Sequence, residues 1–190
     1  MQSRPLLRLV LGLVCVAGAL ACGLRPVAAA QPPPAASEAE VKAAFVLKFA
    51  SFVEWPADAF ARPDDPLVIG VAGDDEIAAG IEQLAAGRRM EGRPVVVRRL
   101  PDAGPFTGVH ILLLGRRSEA RLRDLVAAAA GHVLVVTQQP GALRQGSVIN
   151  FSTEGGRVRF SVSLASADAR NLKLSARLLA VAQSVEGRAS

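Results

Sequence analysis

Four short apolar runs, separated by amphipathic stretches, constrain the fold of this 190-residue chain more than any other feature. Each run is rich in Val, Ile or Leu and has Gly or Pro close by, which is typical of buried strands. In chain order the runs are residues 66–71, 94–99, 109–114 and 132–137. Helical patterns lie between the first and second runs and between the third and fourth. This alternation predicts βαβ units, and therefore a single three-layer α/β domain with a mostly parallel sheet.

The pattern changes after the fourth run. Two further apolar segments, residues 147–151 and 157–164, lie on either side of a loop that contains Gly155 and Gly156. Apolar and polar residues alternate in the second segment, which predicts an antiparallel hairpin with one buried and one solvated face. A last helix, capped within residues 166–168, is predicted after the hairpin. Its predicted inner face consists of Leu174, Leu178, Leu179, Ala182 and Val185.

The helix predicted before the first strand begins with a capping box, because Ser37 is followed three residues later by Glu40. Apolar residues then recur at three- and four-residue steps. The Phe residues on this stripe are Phe45, Phe49 and Phe52. Pro56 disfavours a helical conformation at Trp55, so the helix is predicted to end there. We interpret the stripe as core packing, and Trp55 as a candidate for a binding surface.

The first thirty residues have the features of a secretory signal peptide. Arg4 and Arg8 precede an apolar run that is too short to span a membrane, and small residues before Gln31 predict cleavage after Ala30. Residues 31–36 are Pro-rich, which predicts a disordered spacer before a single domain over residues 37–187. Lipid attachment at Cys22 is an alternative, which the preceding residues 19–21 disfavour.

Removal of this leader changes the charge and the cysteine content. The whole chain carries a formal charge of +5, but without the three basic residues of the leader 19 basic and 17 acidic residues remain, a balance of +2. Such a small charge argues against nucleic-acid binding. Both cysteines, Cys15 and Cys22, lie in the leader. The mature chain is therefore predicted to contain no disulfide and no Cys metal ligand.

The rest of the sequence contains little that is typical of catalysis. Its two histidines, His110 and His132, each lie beside or within a predicted strand, where hydrogen-bonded core histidines are common. There is no Walker loop, nucleophile elbow or His-Glu-x-x-His motif. We therefore expect no catalytic residue, no metal site and no cofactor. An enzyme of unknown class that uses one of the two imidazoles is the least favoured alternative.

The turn after the third predicted strand is a candidate anion-binding site. Gly115 is followed by Arg116, Arg117 and Ser118, so that backbone N–H groups, two guanidinium groups and a hydroxyl could converge there. Open α/β sheets bind ligands in such crevices at the carboxyl ends of their strands. The alternative is an ordinary capped helix start with solvated Arg side chains.

A basic edge is predicted on the last helix. Arg170, Lys173 and Arg177 recur there at three- and four-residue spacing. Such an edge could contact an acidic surface on a partner protein. The alternative interpretation is the ordinary solvated side of a helix.

Several segments resemble the YfiR family of small periplasmic proteins. In chain order these segments are Val-Lys-Ala-Ala-Phe at 41–45, Phe-Val-Glu-Trp-Pro at 52–56, Gly-Arg-Pro-Val at 92–95, His-Ile at 110–111, Ile-Asn-Phe at 149–151, Gly-Arg-Val-Arg-Phe at 156–160 and Leu-Lys-Leu-Ser-Ala-Arg-Leu-Leu at 172–179. No single segment is specific, but together they cover the predicted domain in the order found in the family.

The resemblance implies a periplasmic α/β protein without enzymatic activity. Such a protein docks on the periplasmic part of an inner-membrane diguanylate cyclase and holds it inactive, and it can form a homodimer. Family strands often carry a Cys directly before the His-Ile pair, where this chain has Val109, so redox control by its own disulfide is not expected. The exposed candidates for partner binding are Glu54, Trp55, Arg170, Lys173 and Arg177.

The alternative function is a small-molecule binding module. An anionic ligand would bind at Arg116, Arg117 and Ser118, and the module would act on another membrane sensor such as a histidine kinase. The two functions are compatible if ligand binding tunes docking.

Overall fold

The computed structural model describes residues 36–187 of the chain. The predicted signal peptide with its cleavage after Ala30, the lipid-attachment alternative at Cys22 and all but the last residue of the spacer lie outside these residues. Within residues 36–187, no helix has both the length and the apolar composition needed to span a lipid bilayer.

Each helix begins after a Ser or Asp whose side chain accepts a hydrogen bond from the backbone N–H three residues later. The helices are α1 (Glu38–Ala50), α2 (Asp75–Ala85), α3 (Glu119–Ala128), α4 (Leu164–Asp168) and α5 (Ala176–Val181). The predicted capping box is confirmed at the start of α1. The Glu40 N–H donates to Ser37 Oγ over 3.1 Å, and the Ser37 N–H donates to Glu40 Oε2 over 2.7 Å.

The strands form one large sheet and one small one. They are β1 (Val53–Glu54), β2 (Leu67–Ala72), β3 (Arg89–Met90), β4 (Arg93–Leu100), β5 (Ile111–Leu114), β6 (Leu134–Thr137), β7 (Ile149–Glu154), β8 (Arg157–Ser163), β9 (Lys173–Leu174) and β10 (Ser184–Glu186). The large sheet has the order β10-β8-β7-β6-β5-β2-β4-β3, and β1 pairs with β9 in the small one. Neighbours from β4 to β7 are parallel, whereas β7 and β8 form the predicted antiparallel hairpin.

Helices cover both faces of the large sheet, which gives the three-layer α/β arrangement that the sequence predicted. Alternate residues of β2 show the two layers, since successive side chains of a strand point to opposite faces. Ile69 packs in the core cluster that contains α1 and α2, and Val68 packs in the cluster that contains α3. The strand order reverses between β2 and β5, because β4 lies on one side of β2 and β5 on the other.

The aromatic stripe of α1 packs into the core, as predicted. Phe49 is fully buried, with its ring centroid 5.7 Å from that of Phe151 and 5.1 Å from that of Phe160. Phe45 packs against the same two rings at 6.1 and 5.6 Å. Because Phe151 and Phe160 are register partners in the hairpin of β7 and β8, this cluster fixes α1 against the C-terminal half of the sheet.

The first helix ends at Ala50, about one turn before the predicted end at Trp55, so this prediction was wrong. The Phe52 N–H donates to Phe49 O over 2.9 Å in a tight turn, and the chain then enters β1. Val53 is β-branched and only 2% exposed there. Burial of this side chain in a strand outweighs the gain from another helical turn.

The predicted last helix was also wrong as a single element. Asn171 adopts a φ of +54°, a left-handed conformation that ends a helix, and β9 separates α4 from α5. The basic residues Arg170, Lys173 and Arg177 consequently share no helix face. Val185 was predicted to face inward, but it lies on β10 and is 42% exposed.

Candidate functional site

The strands β1 and β9 join segments that are distant in the chain and carry predicted partner-binding residues. Glu54 is the register partner of Lys173, and both residues are exposed. The Ser175 N–H donates to Phe52 O over 2.9 Å and extends the ladder. The backbone therefore presents an acidic and a basic side chain next to each other. We call this surface, with the side chains bound to it, the β1–β9 patch; its members are Glu54, Trp55, Asp58, His132, Arg170 and Lys173.

Trp55 is held in the patch by a hydrogen bond from its indole. Nε1 donates to the His132 carbonyl over 3.1 Å, and the ring lies edge-on to Phe60 at a centroid distance of 6.5 Å. The half-buried indole also lines a cavity of about 350 Å³ together with Phe60, Met90 and Glu91. An apolar wall with a charged rim is suited to the side chains of another protein.

His132 connects the two halves of the patch. Its Nδ1 lies 2.9 Å from the Arg170 carbonyl, and its Nε2 lies 3.3 Å from Asp58 Oδ1. Both ring nitrogens therefore face oxygen acceptors, and neither is directed at free space. The sequence analysis missed the contribution of Asp58, because 74 residues separate it from His132 and no local motif relates the two.

Arg170 belongs to the patch through its backbone, whereas its half-buried guanidinium binds the end of α3. Nη2 donates to the Val126 carbonyl over 3.2 Å, and Nη1 donates to the Ala129 carbonyl. These carbonyls end α3, where the helix dipole attracts a cation. Burial lowers the pKa of the Arg170 guanidinium. Of the three predicted basic residues, Lys173 is exposed within the patch and Arg177 is exposed on α5.

His110 is fixed in one neutral tautomer. Its Nδ1 accepts a hydrogen bond from the Val68 N–H over 3.1 Å, so the proton must reside on Nε2, which lies 3.1 Å from the Ala59 carbonyl. The ring stacks on Phe60 with centroids 4.2 Å apart. Burial lowers the pKa of His110. Because both nitrogens are occupied, this imidazole anchors the turn that carries Asp58.

The turn after β5 uses its polar groups internally. The Arg117 side chain is 6% exposed and donates to the Gly115 carbonyl over 3.0 Å and to the Ala72 carbonyl over 2.8 Å. It also forms an ion pair with Asp102, and burial lowers its pKa. Ser118 caps α3, while Arg116 remains exposed. Of the three predicted ligand-binding residues, Arg116 alone presents its charge to solvent.

A buried Lys fills the neighbouring part of the crevice between the carboxyl ends of β2 and β5. Lys42 lies on the inner face of α1, and its Nζ donates to Gln138 Oε1 over 2.7 Å and pairs with Glu38 over 2.5 Å. Gln138 Nε2 in turn donates to Asp74 Oδ2 over 2.6 Å. The sequence analysis missed Lys42, since its helical position predicts burial while its charge predicts exposure.

The backbones of the two crevice loops also approach closely. A Cβ on Gly115 would lie 2.0 Å from the Gly73 carbonyl oxygen, so any other residue would force the loops apart. The site at which open α/β sheets usually bind ligands is therefore narrowed by this chain's own backbone, Arg117 and Lys42, and a cavity of about 330 Å³ remains beside it, lined among others by Asp74, Arg116 and Gln138. Among residues 36–187, no group of three or more His, Cys, Asp or Glu side chains is arranged to hold a metal ion.

Comparison with known proteins gives one family match. A family model described as YfiR/HmsC-like matches residues 39–183. The matched range contains every member of the β1–β9 patch and all strands except β10. No curated protein matches the chain significantly.

Proposed function

We propose, because this chain belongs to the YfiR/HmsC-like family, that it is an exported regulator that binds and represses the periplasmic sensor region of an inner-membrane diguanylate cyclase. The family consists of periplasmic regulators of diguanylate cyclase signalling and is regulatory rather than catalytic. Membership also implies an interaction with a membrane signalling protein. We further propose that the β1–β9 patch is the surface that contacts this protein.

The observation that carries this proposal is the convergence of Glu54, Trp55 and Lys173 on one ladder. A short antiparallel pair fixes the two charged side chains without using either of them in an ion pair within residues 36–187. Charges that remain free can steer and orient a partner. In the crevice at β2 and β5, in contrast, Lys42 and Arg117 are paired and buried, and Arg116 alone is exposed.

The cavity beside the patch supplies an anchor for docking. Interfaces depend on a few buried aromatic or Arg anchors surrounded by a polar rim. Trp55 and Met90 contribute apolar surface to the cavity, while Glu54, Glu91 and Arg93 contribute charged groups, and Arg93 lies over the ring of Phe60. We infer that an apolar side chain of the partner enters this cavity and that the charged pair sets its orientation.

The test is complementation of a strain that lacks this gene. Deletion should raise the cellular level of cyclic-di-GMP, and the wild-type gene should lower it again. A gene carrying Glu54→Lys and Lys173→Glu together should fail to lower it, because the reversed charges oppose those of the partner. The matched control is Glu154→Lys with Arg157→Glu, which reverses another exposed cross-strand pair in the hairpin of β7 and β8.

Two outcomes contradict the proposal at different levels. An unchanged level of cyclic-di-GMP after deletion would exclude repression of a cyclase under the conditions tested. Full repression by the reversed pair, with both proteins present at equal amounts in the periplasm, would exclude the β1–β9 patch as the docking surface. Loss of repression by the Glu154 and Arg157 control would show that charge reversal acts without regard to position.

A further inference from the structure

We propose that the open edge of β4 binds an extended, acidic segment of a partner protein by strand addition. This surface lies at the β4 edge of the large sheet and shares no residue with the β1–β9 patch. The inference does not rest on the proposed function, because it concerns backbone groups that any extended segment of suitable charge can reach.

The first observation is the length of β4 that has a neighbour on one side only. All of residues 95–100 pair with β2. On the opposite side β3 pairs with Arg93 and Pro94 alone, and no other strand of residues 36–187 lies beside β4 there. The other edge of the sheet, β10, is only three residues long. Short edge strands resist strand addition, so β4 is the edge that can accept one.

The direction of the free backbone groups follows from a single hydrogen bond. The Val95 N–H donates to the Arg88 carbonyl over 3.2 Å, so the polar groups of Val95 point away from β2. Successive residues of a strand alternate, and the N–H and C=O groups of Val97 and Arg99 therefore point the same way. These four groups lie beyond the end of β3, where an added strand would pair with them.

The side chains along this edge favour an acidic partner. Arg98 and Arg88 are exposed, and neither takes part in an ion pair within residues 36–187. Arg99 is already paired with Glu82 on α2, at 2.9 Å. Val96 is 37% exposed, and it is one of three exposed large apolar side chains among residues 36–187. Because Val96 and Arg98 lie on the same face of the sheet, an added strand of alternating Glu and Val that places its Glu side chains beside Arg98 places its Val side chains on the opposite face, with Val97.

The same charges argue against a second copy of this chain as the occupant. Two β4 edges placed side by side would bring Arg93 and Arg98 of both copies into one small sheet region. Like charges opposite each other destabilise strand pairs. Positive residues on an edge commonly prevent self-pairing, yet they leave the edge open to a segment of opposite charge.

The probe is a fluorescein-labelled peptide of alternating Glu and Val, seven residues long, with fluorescence anisotropy as the readout. We expect saturable binding to residues 31–190 of the chain and much weaker binding of the Lys-Val counterpart. Arg98→Glu should weaken binding about tenfold through charge repulsion. Arg159→Glu, an exposed Arg on β8, is the matched control and should leave binding unchanged.

Hydrogen exchange tests the geometry independently of any variant. In the free protein the amides of Val97 and Arg99 should exchange quickly, while those of Val96 and Arg98, which face β2, should be protected. Saturation with the Glu-Val peptide should slow the exchange of Val97 and Arg99 alone.

A backbone variant gives a further test of the geometry. Val97→Pro removes one outward N–H, so it should reduce peptide binding, while the far-ultraviolet circular dichroism of the protein should stay unchanged.

Several results would overturn the inference. They are absence of binding, equal binding of the Glu-Val and Lys-Val peptides, and binding that leaves the exchange of Val97 and Arg99 unchanged. Concentration-dependent self-association that Val97→Pro abolishes would assign the edge to a second copy instead. None of these outcomes bears on repression through the β1–β9 patch, so failure of either proposal can be recognised separately.

Discussion

The crevice between β2 and β5 and the β1–β9 patch use charged side chains in opposite ways. In the crevice, Lys42 and Arg117 are buried and bind groups of this same chain. In the patch, backbone pairing holds β1 and β9 together, and Glu54 and Lys173 remain exposed. A charge that already stabilises the fold contributes little to recognition, whereas a free charge on a rigid backbone can recognise a partner. The fold has thus used Lys42 and Arg117 of the site that its topology would favour for its own stability, and has left the charges of another surface available.

The largest expected effect comes from opening the crevice at its narrowest point. Gly115→Ala places a Cβ against the Gly73 carbonyl oxygen, and we expect it to lower the free energy of unfolding by about 3 kcal/mol. Urea denaturation measures this loss. Gly155→Ala is the control, because Gly155 has φ +54° and no neighbouring atom within 4 Å, and it should cost only about 1 kcal/mol of backbone strain. Equal losses of the free energy of unfolding in the two variants would mean that the loops that carry Gly73 and Gly115 can separate without cost.

Removal of the buried ammonium group in the crevice should have the next largest effect. Lys42→Met keeps the length of the side chain but leaves Gln138 Oε1 without its donor and Glu38 without its ion pair. We expect a loss of about 2 kcal/mol in the free energy of unfolding. Lys48→Met, at an exposed position on the same helix, should change it by no more than about 0.5 kcal/mol. A stable Lys42→Met protein would indicate that the crevice tolerates an apolar filling.

The two regions also differ in how far the sequence predicted them. The strands β2, β5 and β6 and the cap of α1 follow from local patterns, and the structure confirms them. The pairing of β1 with β9 had no local signal, because two-residue strands have no periodicity. Their register is set by the packing of buried Val53 and partly buried Leu174 against the core. The local signs that the last helix breaks are Asn171, which has a left-handed conformation, and Ser175, which caps α5.

Burial of Lys42 could not be predicted from the sequence, and the reason is different. A Lys among apolar residues of a helix face is usually extended to solvent, and only its tertiary partners, Gln138 and Glu38, make burial favourable. For the patch, the sequence identified Glu54, Trp55 and Lys173 as candidate partner-binding residues because of their predicted exposure and the family resemblance. Their convergence on one surface required the topology of the whole domain.

A smaller effect on the free energy of unfolding is expected from a change of pH, because His110 is a buried group that binds within this chain. His110 is buried and neutral, and its lowered pKa means that the unfolded chain binds the proton more readily than the folded chain. Stability should therefore fall as the pH drops below about 6.5, the usual value for His, by about 1 kcal/mol between pH 7.5 and 5.5. His110→Gln, which can still accept from the Val68 N–H, should show a flatter dependence in the same urea titrations. If the free energy of unfolding of His110→Gln falls as steeply with pH as that of the wild type, other titratable groups cause the pH dependence.

The smallest effect on stability is expected where the effect on regulation is proposed to be largest. Glu54→Lys combined with Lys173→Glu preserves the composition of the patch and the backbone ladder of β1 and β9. Because both side chains are exposed, the free energy of unfolding should change by no more than about 0.5 kcal/mol. Thermal and urea denaturation of the purified variant measure this change beside the cyclic-di-GMP assay. If the variant represses poorly only because it unfolds, both its melting temperature and its free energy of unfolding in urea should be clearly lower than those of the wild type. In that case the charges of the patch, like those of the crevice, would stabilise the fold.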